Sequence, residues 1–260
     1  MSAALPPLAA VVERLVAAGC VAADEEAAEF LACAPDAATL DAWLVRRESG
    51  EPPAWITGRF VFGGLELVMR PGVYVPRPQS EELAERAAAL LPESGRALDL
   101  CTGAGAVAAV MRASVPDALV VGVDLDPEAA ACARANGVAA LVGDLAGPLR
   151  RRAAFDVVTA VPPYVPSDGI RLLPADVRRF EPQVALDGGA DGLDLVRRVV
   201  RAAALLLRPG GWMLVEIGGS QDELLAPELL GAGFAEVTPW WDADGDLRGL
   251  AAQVSTRRPG

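Results

Sequence analysis

Short apolar runs alternate with helical segments from about residue 81 onward, and this alternation limits the folds that the chain can adopt. The apolar runs cover residues 97–100, 119–123, 139–142 and 155–160, and helical segments cover 81–91, the stretch after a glycine-rich turn, and 127–136. Strands that alternate with helices form a mainly parallel sheet, because each parallel connection must cross over a face of the sheet. The pattern therefore predicts an α/β fold with a doubly wound, Rossmann-like sheet.

The last third of the chain continues this alternation. A helix at 193–207 ends at Arg208-Pro209-Gly210-Gly211, a combination that stops helices. The elements that follow are a strand at 212–217, a helix near 222–230 and strands near 235–240 and 249–254. We expect one strand near the C-terminus to run antiparallel to the rest of the sheet.

The N-terminal part has a different pattern. Apolar side chains recur at helical spacing between residues 8 and 16, an acidic triplet opens a second helix at residue 24, and a third helix spans about 37–47. Gly50-Glu51-Pro52-Pro53 ends this helical unit, and two strand-like runs around Gly63-Gly64 predict a β-hairpin. We therefore divide the chain into a small α-helical domain at 1–56, a β-hairpin linker at 57–78 and a larger domain at 79–260.

The composition excludes several kinds of chemistry. All 23 basic residues are arginine, and the chain has no histidine. This removes the usual imidazole base, histidine metal sites and lysine Schiff bases. The formal net charge of −12 argues against a nucleic-acid backbone as the main partner. The one dense basic run, Arg150-Arg151-Arg152, is typical of a solvated turn.

Cysteine usage and hydropathy bear on the compartment. The four cysteines, Cys20, Cys33, Cys101 and Cys132, form neither a Cys-x-x-Cys pair nor a metal-binding spacing. Scattered thiols in a chain of this size are typical of a reducing compartment. Residues 1–10 lack a basic leader, and no apolar run is long enough to span a bilayer. We expect a cytoplasmic protein with no membrane partner and no metal.

A glycine-rich loop, Asp99-Leu100-Cys101-Thr102-Gly103-Ala104-Gly105, follows the first strand of the larger domain. Such glycines let the backbone approach a ligand closely, although a lone Gly-x-Gly is equally typical of a tight strand–helix turn. Asp124 ends the next strand, where a carboxylate can accept hydrogen bonds from both ribose hydroxyls. Because a full Gly-x-Gly-x-x-Gly motif and a Walker lysine are both absent, a nucleoside without a pyrophosphate fits better than NAD or ATP. S-adenosylmethionine is such a ligand.

A third carboxylate, Asp144, follows the third strand and could accept a hydrogen bond from the adenine amino group. Taken alone it is equally typical of a plain loop or a helix cap. Asp99, Asp124 and Asp144 fall at the carboxyl ends of successive strands, where open α/β sheets bind ligands. The predicted cofactor-binding residues are Asp99, Cys101, Thr102, Gly103, Gly105, Asp124, Leu125, Asp144 and Leu145.

A proline-rich corner, Val161-Pro162-Pro163-Tyr164, follows the strand at 155–160. It resembles the Asn-Pro-Pro-Tyr signature of S-adenosylmethionine-dependent methyltransferases that act on planar nitrogens, with valine at the asparagine position. A sulfonium is already a good leaving group, so the protein mainly has to orient the nucleophile, and orientation alone can supply about 7–11 kcal/mol. These four residues are the predicted catalytic corner, and a bare structural turn is the alternative.

Over nearly its whole length the chain resembles the HemK/PrmC protein-(glutamine-N5) methyltransferases, which methylate a glutamine in peptide release factors. The matching segments are 50–58, 75–81, Glu181-Pro182, Ala185-Leu186, Gly188-Gly189, 191–194, 208–211 and Glu216-Ile217-Gly218. The resemblance implies a class I methyltransferase fold, S-adenosylmethionine as methyl donor, S-adenosylhomocysteine as product and an N-terminal domain that recognises the substrate. It also implies substrate contacts from Pro76, Arg77, Ser80, Tyr164 and Glu181. The Cys101 loop and Tyr164-Val165-Pro166 look closest to an actinobacterial side branch.

Three residues depart from the family pattern. Cys101 replaces the first loop glycine, a change compatible with cofactor binding, and Gln79 replaces an acidic residue. Val161 replaces the asparagine whose side-chain oxygen, with the following backbone carbonyl, would accept hydrogen bonds from the substrate amide. Valine accepts none, and leaving a buried N–H unsatisfied costs about 1–3 kcal/mol.

Three functions follow from these observations. We favour an active methyltransferase whose acceptor has shifted to a small-molecule or natural-product nitrogen or carbon, because an apolar Val161 beside Tyr164 suits a less polar acceptor. The first alternative is glutamine-N5 methylation of a release factor, with backbone carbonyls alone holding the amide. The second is a catalytically inactive protein that binds S-adenosylmethionine. In each case we expect a monomer or a small homo-oligomer.

Overall fold

A computed structural model describes residues 4–149 and 154–256. The arginine run at 150–152 falls entirely in the gap, so its predicted turn lies outside the described residues. Within the described residues, no helix has the length and the apolar content needed to cross a membrane.

The N-terminal region folds into four helices. Val11, Leu15, Phe30, Leu40 and Leu44 from the first three form a hydrophobic cluster of their own. The fourth helix was not predicted, because Pro53 was interpreted as a breaker. Proline is compatible with the first turn of a helix, where its missing N–H has no partner to lose. The helices are α1 (Leu8–Ala17), α2 (Ala23–Cys33), α3 (Ala37–Glu48) and α4 (Pro53–Thr57).

The predicted hairpin is present as β1 (Arg59–Phe62) and β2 (Leu65–Val68), which pair antiparallel. Gly63 and Gly64 connect them with φ angles of 55° and 75°, as a two-residue hairpin turn requires. The hairpin packs on the larger domain through Phe62 and Leu67, which join one of its two core clusters.

A seven-stranded sheet forms the larger domain, with strand order β5-β4-β3-β6-β7-β9-β8. The first five of these strands are mutually parallel, and β9 runs antiparallel to both of its neighbours. This confirms the predicted doubly wound sheet with one antiparallel strand near the C-terminus. The elements are α5 (Ser80–Leu90), β3 (Arg96–Leu100), α6 (Ala106–Ser114), β4 (Leu119–Asp124), α7 (Pro127–Ala135), β5 (Ala139–Val142), β6 (Phe155–Ala160), α8 (Ala175–Phe180), α9 (Asp194–Leu206), β7 (Leu207–Glu216), α10 (Gln221–Gly231), β8 (Phe234–Trp241) and β9 (Leu247–Val254).

Both faces of the sheet are buried by helices. Neighbouring residues on each central strand point to opposite faces, so Leu98 and Val158 pack with α9 and α10 while Ala97 and Val157 pack with α5 and α6. Helices on both faces leave the carboxyl edge of the parallel strands as the open side of the domain, and the candidate site lies there.

Two predictions for the chain after β6 need correction. The Arg208–Gly211 run does not separate α9 from the next strand, because β7 already begins at Leu207. Leu207 pairs with Phe155 and Trp212 with Val157, so the intervening residues bulge out of the ladder. The stretch 165–182 has no clear period in the sequence and is therefore expected to be a loop, but it contains α8, a helix of six residues that is too short to show a hydrophobic period.

Candidate functional site

The carboxyl ends of β3, β4, β5 and β6 meet along one edge, and a groove runs over them. It consists of two adjoining cavities of about 630 and 190 Å³ that share part of their lining. We call these two cavities together the loop groove. The shared lining residues are Cys101, Leu125, Pro163, Val184 and Leu195.

A third cavity, also of about 190 Å³, lies on the other side of the proline corner from the loop groove. We call it the corner cavity. Tyr74, Val161 and Pro163 line both this cavity and the smaller part of the loop groove. The corner therefore forms a common wall, which places anything bound in the loop groove next to anything bound in the corner cavity.

Asp99 holds the glycine loop in place. Its carboxylate is 2% exposed and accepts hydrogen bonds from the hydroxyls of Thr102, at 2.6 Å, and Thr159, at 2.7 Å. Burial raises the pKa of Asp99 to about 6, against the two hydroxyl donors that lower it. Asp99 and Thr102 were predicted to bind cofactor, and the structure pairs their side chains with each other beneath the loop.

The glycines of the loop have different surroundings. Gly103 has a φ of 55° with open space where a Cβ would stand, so its backbone is accessible from the loop groove that it lines. Gly105 has a φ of 80°, and a Cβ there would lie 2.9 Å from the Cβ of Ala133 on α7. Gly103 thus leaves room for a ligand, whereas Gly105 permits close packing of two helices.

Asp124 lies at the end of β4 with its carboxylate in the loop groove. Its oxygens accept hydrogen bonds from the backbone N–H groups of Gly103, at 2.8 Å, and Asp126, at 2.9 Å. Burial raises the pKa of Asp124, although these donors lower it in part. Each carboxylate oxygen keeps a further lone pair, so the pair of ribose hydroxyls of a nucleoside can donate to it.

Asp144 lies in the larger part of the loop groove, but its carboxylate already has a partner. Arg198 of α9 donates to both oxygens, at 2.8 and 2.6 Å. An adenine amino group at this position would share the carboxylate with Arg198, a partner that the sequence did not indicate. Leu125 is exposed on the rim of the groove, and Leu145 is buried in the core with a φ of 46°.

The proline corner directs Tyr164 toward the end of β7. Pro162 and Pro163 are buried, and the Tyr164 hydroxyl donates to Oε1 of Glu216 at 2.9 Å. Burial, with the neighbouring Glu216 charge, raises the pKa of Tyr164, which therefore remains a neutral phenol. The side chain of Val161 offers only apolar atoms to the common wall.

The predicted substrate-binding residues largely pair with other side chains. Arg77 donates to Glu181 at 2.5 Å and lies 5.0 Å from the centre of the Tyr74 ring, and it also lines the corner cavity. Glu181 is buried, and its second oxygen, Oε2, has no hydrogen-bond partner. Pro76 and Ser80 line a narrow space of about 30 Å³ beside Val161.

The structure adds three residues to the site: Tyr74, Glu216 and Gln221. Tyr74 lines both cavities, and Gln221 donates to the backbone carbonyls of Tyr164, at 2.9 Å, and Asp191, at 3.2 Å. Glu216 ends β7, beside the end of β6. The rule that singled out Asp124, a carboxylate at the end of a predicted strand, could have found it.

Burial also keeps the thiol of Cys101, in the glycine-rich loop, protonated. Cys101 lines both parts of the loop groove, and its pKa is raised by burial and by the charges of Asp124 and Asp99. The side chain is therefore a neutral thiol with little nucleophilic character.

Comparison with known proteins gives a consistent result. Residues 97–180 match a family model described as a methyltransferase domain. A release factor glutamine methyltransferase of Geobacter sulfurreducens is 37% identical over 81% of this chain and 76% of its own length. The corresponding protein of Cereibacter sphaeroides is 35% identical over 95% of this chain and 97% of its own length.

Solved structures support the fold. A methyltransferase from Pyrococcus furiosus superposes with a TM-score of 0.54 at 18% identity, over 74% of this chain and 90% of that one. The hMettl16 catalytic domain, solved in complex with a MAT2A 3′UTR hairpin, superposes with a TM-score of 0.56 at 16% identity. The match covers 86% of this chain and 82% of that one. At these identities the likeness concerns the fold alone.

Proposed function

The chain belongs to the release factor glutamine methyltransferase family of S-adenosylmethionine-dependent methyltransferases, and we propose that it methylates the side-chain amide nitrogen of a glutamine in a peptide release factor. The observation that carries this proposal is the common wall: the Val161–Tyr164 corner separates the loop groove from the corner cavity. A methyl donor in the groove and a planar acceptor in the cavity would meet at this wall.

The loop groove fits S-adenosylmethionine. Asp124 offers carboxylate lone pairs for two ribose hydroxyls, and the open face of Gly103 lets the amino-acid part of the cofactor pass close to the backbone. Asp144 and Leu125 lie where the adenine would bind in the larger cavity. The cofactor supplies an electrophilic methyl group on a sulfonium and leaves as S-adenosylhomocysteine.

The protein's contribution to the reaction is orientation. The acceptor nitrogen forms a bond to the methyl carbon while the carbon–sulfur bond breaks and its electron pair stays on sulfur, and the nitrogen then loses a proton to water. With valine at position 161, the backbone carbonyls of the corner are the groups left to accept the amide hydrogens. Tyr164, held by Glu216, would support one face of the planar amide. No histidine base is needed, since the methylated amide nitrogen carries a positive charge and readily loses its proton to water.

Radiolabelled methyl transfer tests this function. We expect purified enzyme to label a release factor containing Gly-Gly-Gln, and the same factor with that glutamine replaced by alanine should stay unlabelled. Asp124→Asn should abolish labelling by weakening cofactor binding. Absence of incorporation at high enzyme concentration would reject release-factor methylation.

A second acceptor class is favoured by one observation. Val161 lines the loop groove and the corner cavity, and its side chain offers no hydrogen-bond acceptor to either. A less polar small-molecule nitrogen or carbon acceptor would fit such a wall better than a primary amide. Val161→Asn distinguishes the two: a gain of tenfold or more on release factor, about 1.4 kcal/mol, means that the native corner is not adapted to the amide. Equal activity of the two proteins supports the release factor.

Binding without turnover is the remaining outcome. A protein that binds S-adenosylmethionine in a calorimeter but methylates neither class of acceptor would be an inactive cofactor-binding protein. We propose that the enzyme works in the cytoplasm as a monomer or small homo-oligomer, in keeping with its acidic charge and scattered cysteines.

A further inference from the structure

Glu216 connects three parts of the site. It is the last residue of β7, is 2% exposed, and divides its two carboxylate oxygens between two donors. Oε1 accepts from the Tyr164 hydroxyl at 2.9 Å, and Oε2 accepts from the hydroxyl of Ser80 at the start of α5. One buried carboxylate thus joins the proline corner to the sheet and to the segment that lines the corner cavity.

We propose that Glu216 is a positioning residue for methyl transfer, which fixes the ring of Tyr164 against the corner cavity by accepting its hydroxyl while Ser80 fixes the carboxylate. The inference rests on the proposed function in one respect, namely that the acceptor lies against Tyr164. Glu216 lines neither the loop groove nor the corner cavity, so it acts through Tyr164 and not on the acceptor itself.

The backbone of the proline corner is held by a different side chain, that of Gln221. Gln221 donates to the backbone carbonyl of Tyr164 and accepts from the N–H of Gly218, both at 2.9 Å. The backbone of the corner is therefore fixed by Gln221 and the far end of the tyrosine side chain by Glu216. A ring held at both ends cannot swing into the cavity, and displacement of reacting groups by about 1 Å can cost a hundredfold in rate.

Kinetics of Glu216 variants provide the first test. We expect Glu216→Ala to lower kcat by about a hundredfold with an unchanged KM for S-adenosylmethionine. Glu216→Gln should regain at least a tenth of the wild-type kcat, because its amide oxygen still accepts the Tyr164 hydroxyl and Ser80 can accept from its amide nitrogen. Tyr164→Phe should make a further Glu216→Ala substitution nearly without effect.

Asp156→Asn is the matched control. Asp156 is also a buried carboxylate, but it lies near the opposite end of the sheet, where it accepts from the Arg96 N–H and pairs with Arg208. The Asp156→Asn substitution should lower the unfolding temperature of the protein without changing kcat. If Glu216→Ala shows the Asp156→Asn result, a lower unfolding temperature with an unchanged kcat, or if Glu216→Ala and Glu216→Gln lose activity equally, the positioning role is wrong.

A readout without substrate separates this inference from the proposed function. The chain has two tyrosines, so 3-fluorotyrosine labelling gives two fluorine resonances, and Tyr164→Phe assigns one of them. We expect Glu216→Gln to shift the Tyr164 resonance and to lower its phenol pKa, while Asp156→Asn changes neither. An unmoved Tyr164 signal overturns the inference. Failure of wild-type enzyme to methylate release factor rejects the proposed function alone.

Discussion

At the scale of single residues, Cys101 occupies a backbone conformation that usually belongs to glycine. Its φ of 55° lies in the left-handed region, which costs a residue with a Cβ about 1–2 kcal/mol. The side chain packs against the core cluster of the α9 face, and this contact offsets part of that cost. Relative to a glycine, the cysteine therefore gives up an unstrained backbone and gains buried apolar surface.

Substitutions at Cys101 should reveal that balance. We expect Cys101→Gly to change the free energy of unfolding by less than about 1 kcal/mol, because relief of strain and loss of packing nearly cancel. Cys101→Val should destabilise by about 2 kcal/mol or more, since a β-branched side chain is least tolerated at positive φ. Urea unfolding measures both, and equal stability of the valine variant and wild type would contradict the assigned conformation.

The raised pKa of the Asp99 carboxyl group predicts that the stability of the protein depends on pH. Its pKa of about 6 in the folded protein lies above the value near 3.9 of an unfolded chain. Between these values the folded protein binds a proton that the unfolded chain has lost, so the Asp99 contribution to stability falls as the pH rises from about 4 to about 6. The loss is on the order of 3 kcal/mol.

Urea unfolding from pH 4 to pH 8 checks this sign. Asp99→Asn cannot ionise, so we expect wild type to lose stability relative to this variant as the pH rises through that window. Other carboxylates titrate in both proteins and cancel in the difference. Parallel stability curves for the two proteins would show that Asp99 does not titrate in this range.

At the scale of elements, the connection from β3 to α6 contains two glycines with different structural roles. Gly103 opens the loop toward the groove, and Gly105 lets the start of α6 approach α7. The Asp99 carboxylate holds the loop just before these glycines by accepting a hydrogen bond from Thr102. A short loop can therefore leave room for a ligand and still pack tightly on the next helix.

Alanine at each glycine should separate these roles. Gly105→Ala meets Ala133 at 2.9 Å with a φ of 80°, and we expect it to destabilise the fold by about 2–3 kcal/mol. Gly103→Ala meets nothing within 4 Å, so its cost is the backbone strain of about 1 kcal/mol, but its Cβ enters the groove and should weaken S-adenosylmethionine binding. Thermal unfolding and calorimetry measure the two effects, and a reversed order would refute the assignment.

At the scale of the whole molecule, α8 connects the N-terminal helices to the corner cavity. Phe180 packs edge-on against Trp55 of α4 at 6.4 Å, and Arg179 donates to the Ser49 carbonyl at 3.1 Å. Val177 of the same helix and Pro174 before it line the corner cavity. A partner that binds the N-terminal helices would therefore touch a unit that also lines the corner cavity.

Loss of the Phe180 contact should affect the acceptor and spare the cofactor. We expect Phe180→Ala to raise the KM for release factor severalfold, because α8 loses its anchor on Trp55, and to leave the Kd for S-adenosylmethionine unchanged. Val237→Ala, at a half-exposed position on β8, serves as the control and should change neither constant. A rise in the cofactor Kd for Phe180→Ala would mean that α8 supports the whole site and not the acceptor side alone.

The sequence by itself determined the sheet and brought the residues of the candidate site to its carboxyl edge. Strand and helix periods depend on neighbouring residues, so the alternation after residue 81 predicted the parallel sheet, and parallel strands bring Asp99, Asp124 and the Val161 corner to one edge. The short helix α8 was missed because six residues carry no clear period, and α4 was missed because its Pro53 was interpreted as a helix breaker.

Only the tertiary structure decided which side chains pair. Arg77 meets Glu181 across 104 positions of sequence, and Glu216 lies 136 positions from Ser80 and 52 from Tyr164. Such pairs depend on how strands and helices pack, and no local pattern records that. Of the residues predicted to touch the substrate, Glu181 and Ser80 thus support residues that line the corner cavity: Glu181 pairs with Arg77, and Ser80 pairs with Glu216, which holds Tyr164. The physical reason is that a buried charge needs a partner, and folding supplies the nearest one.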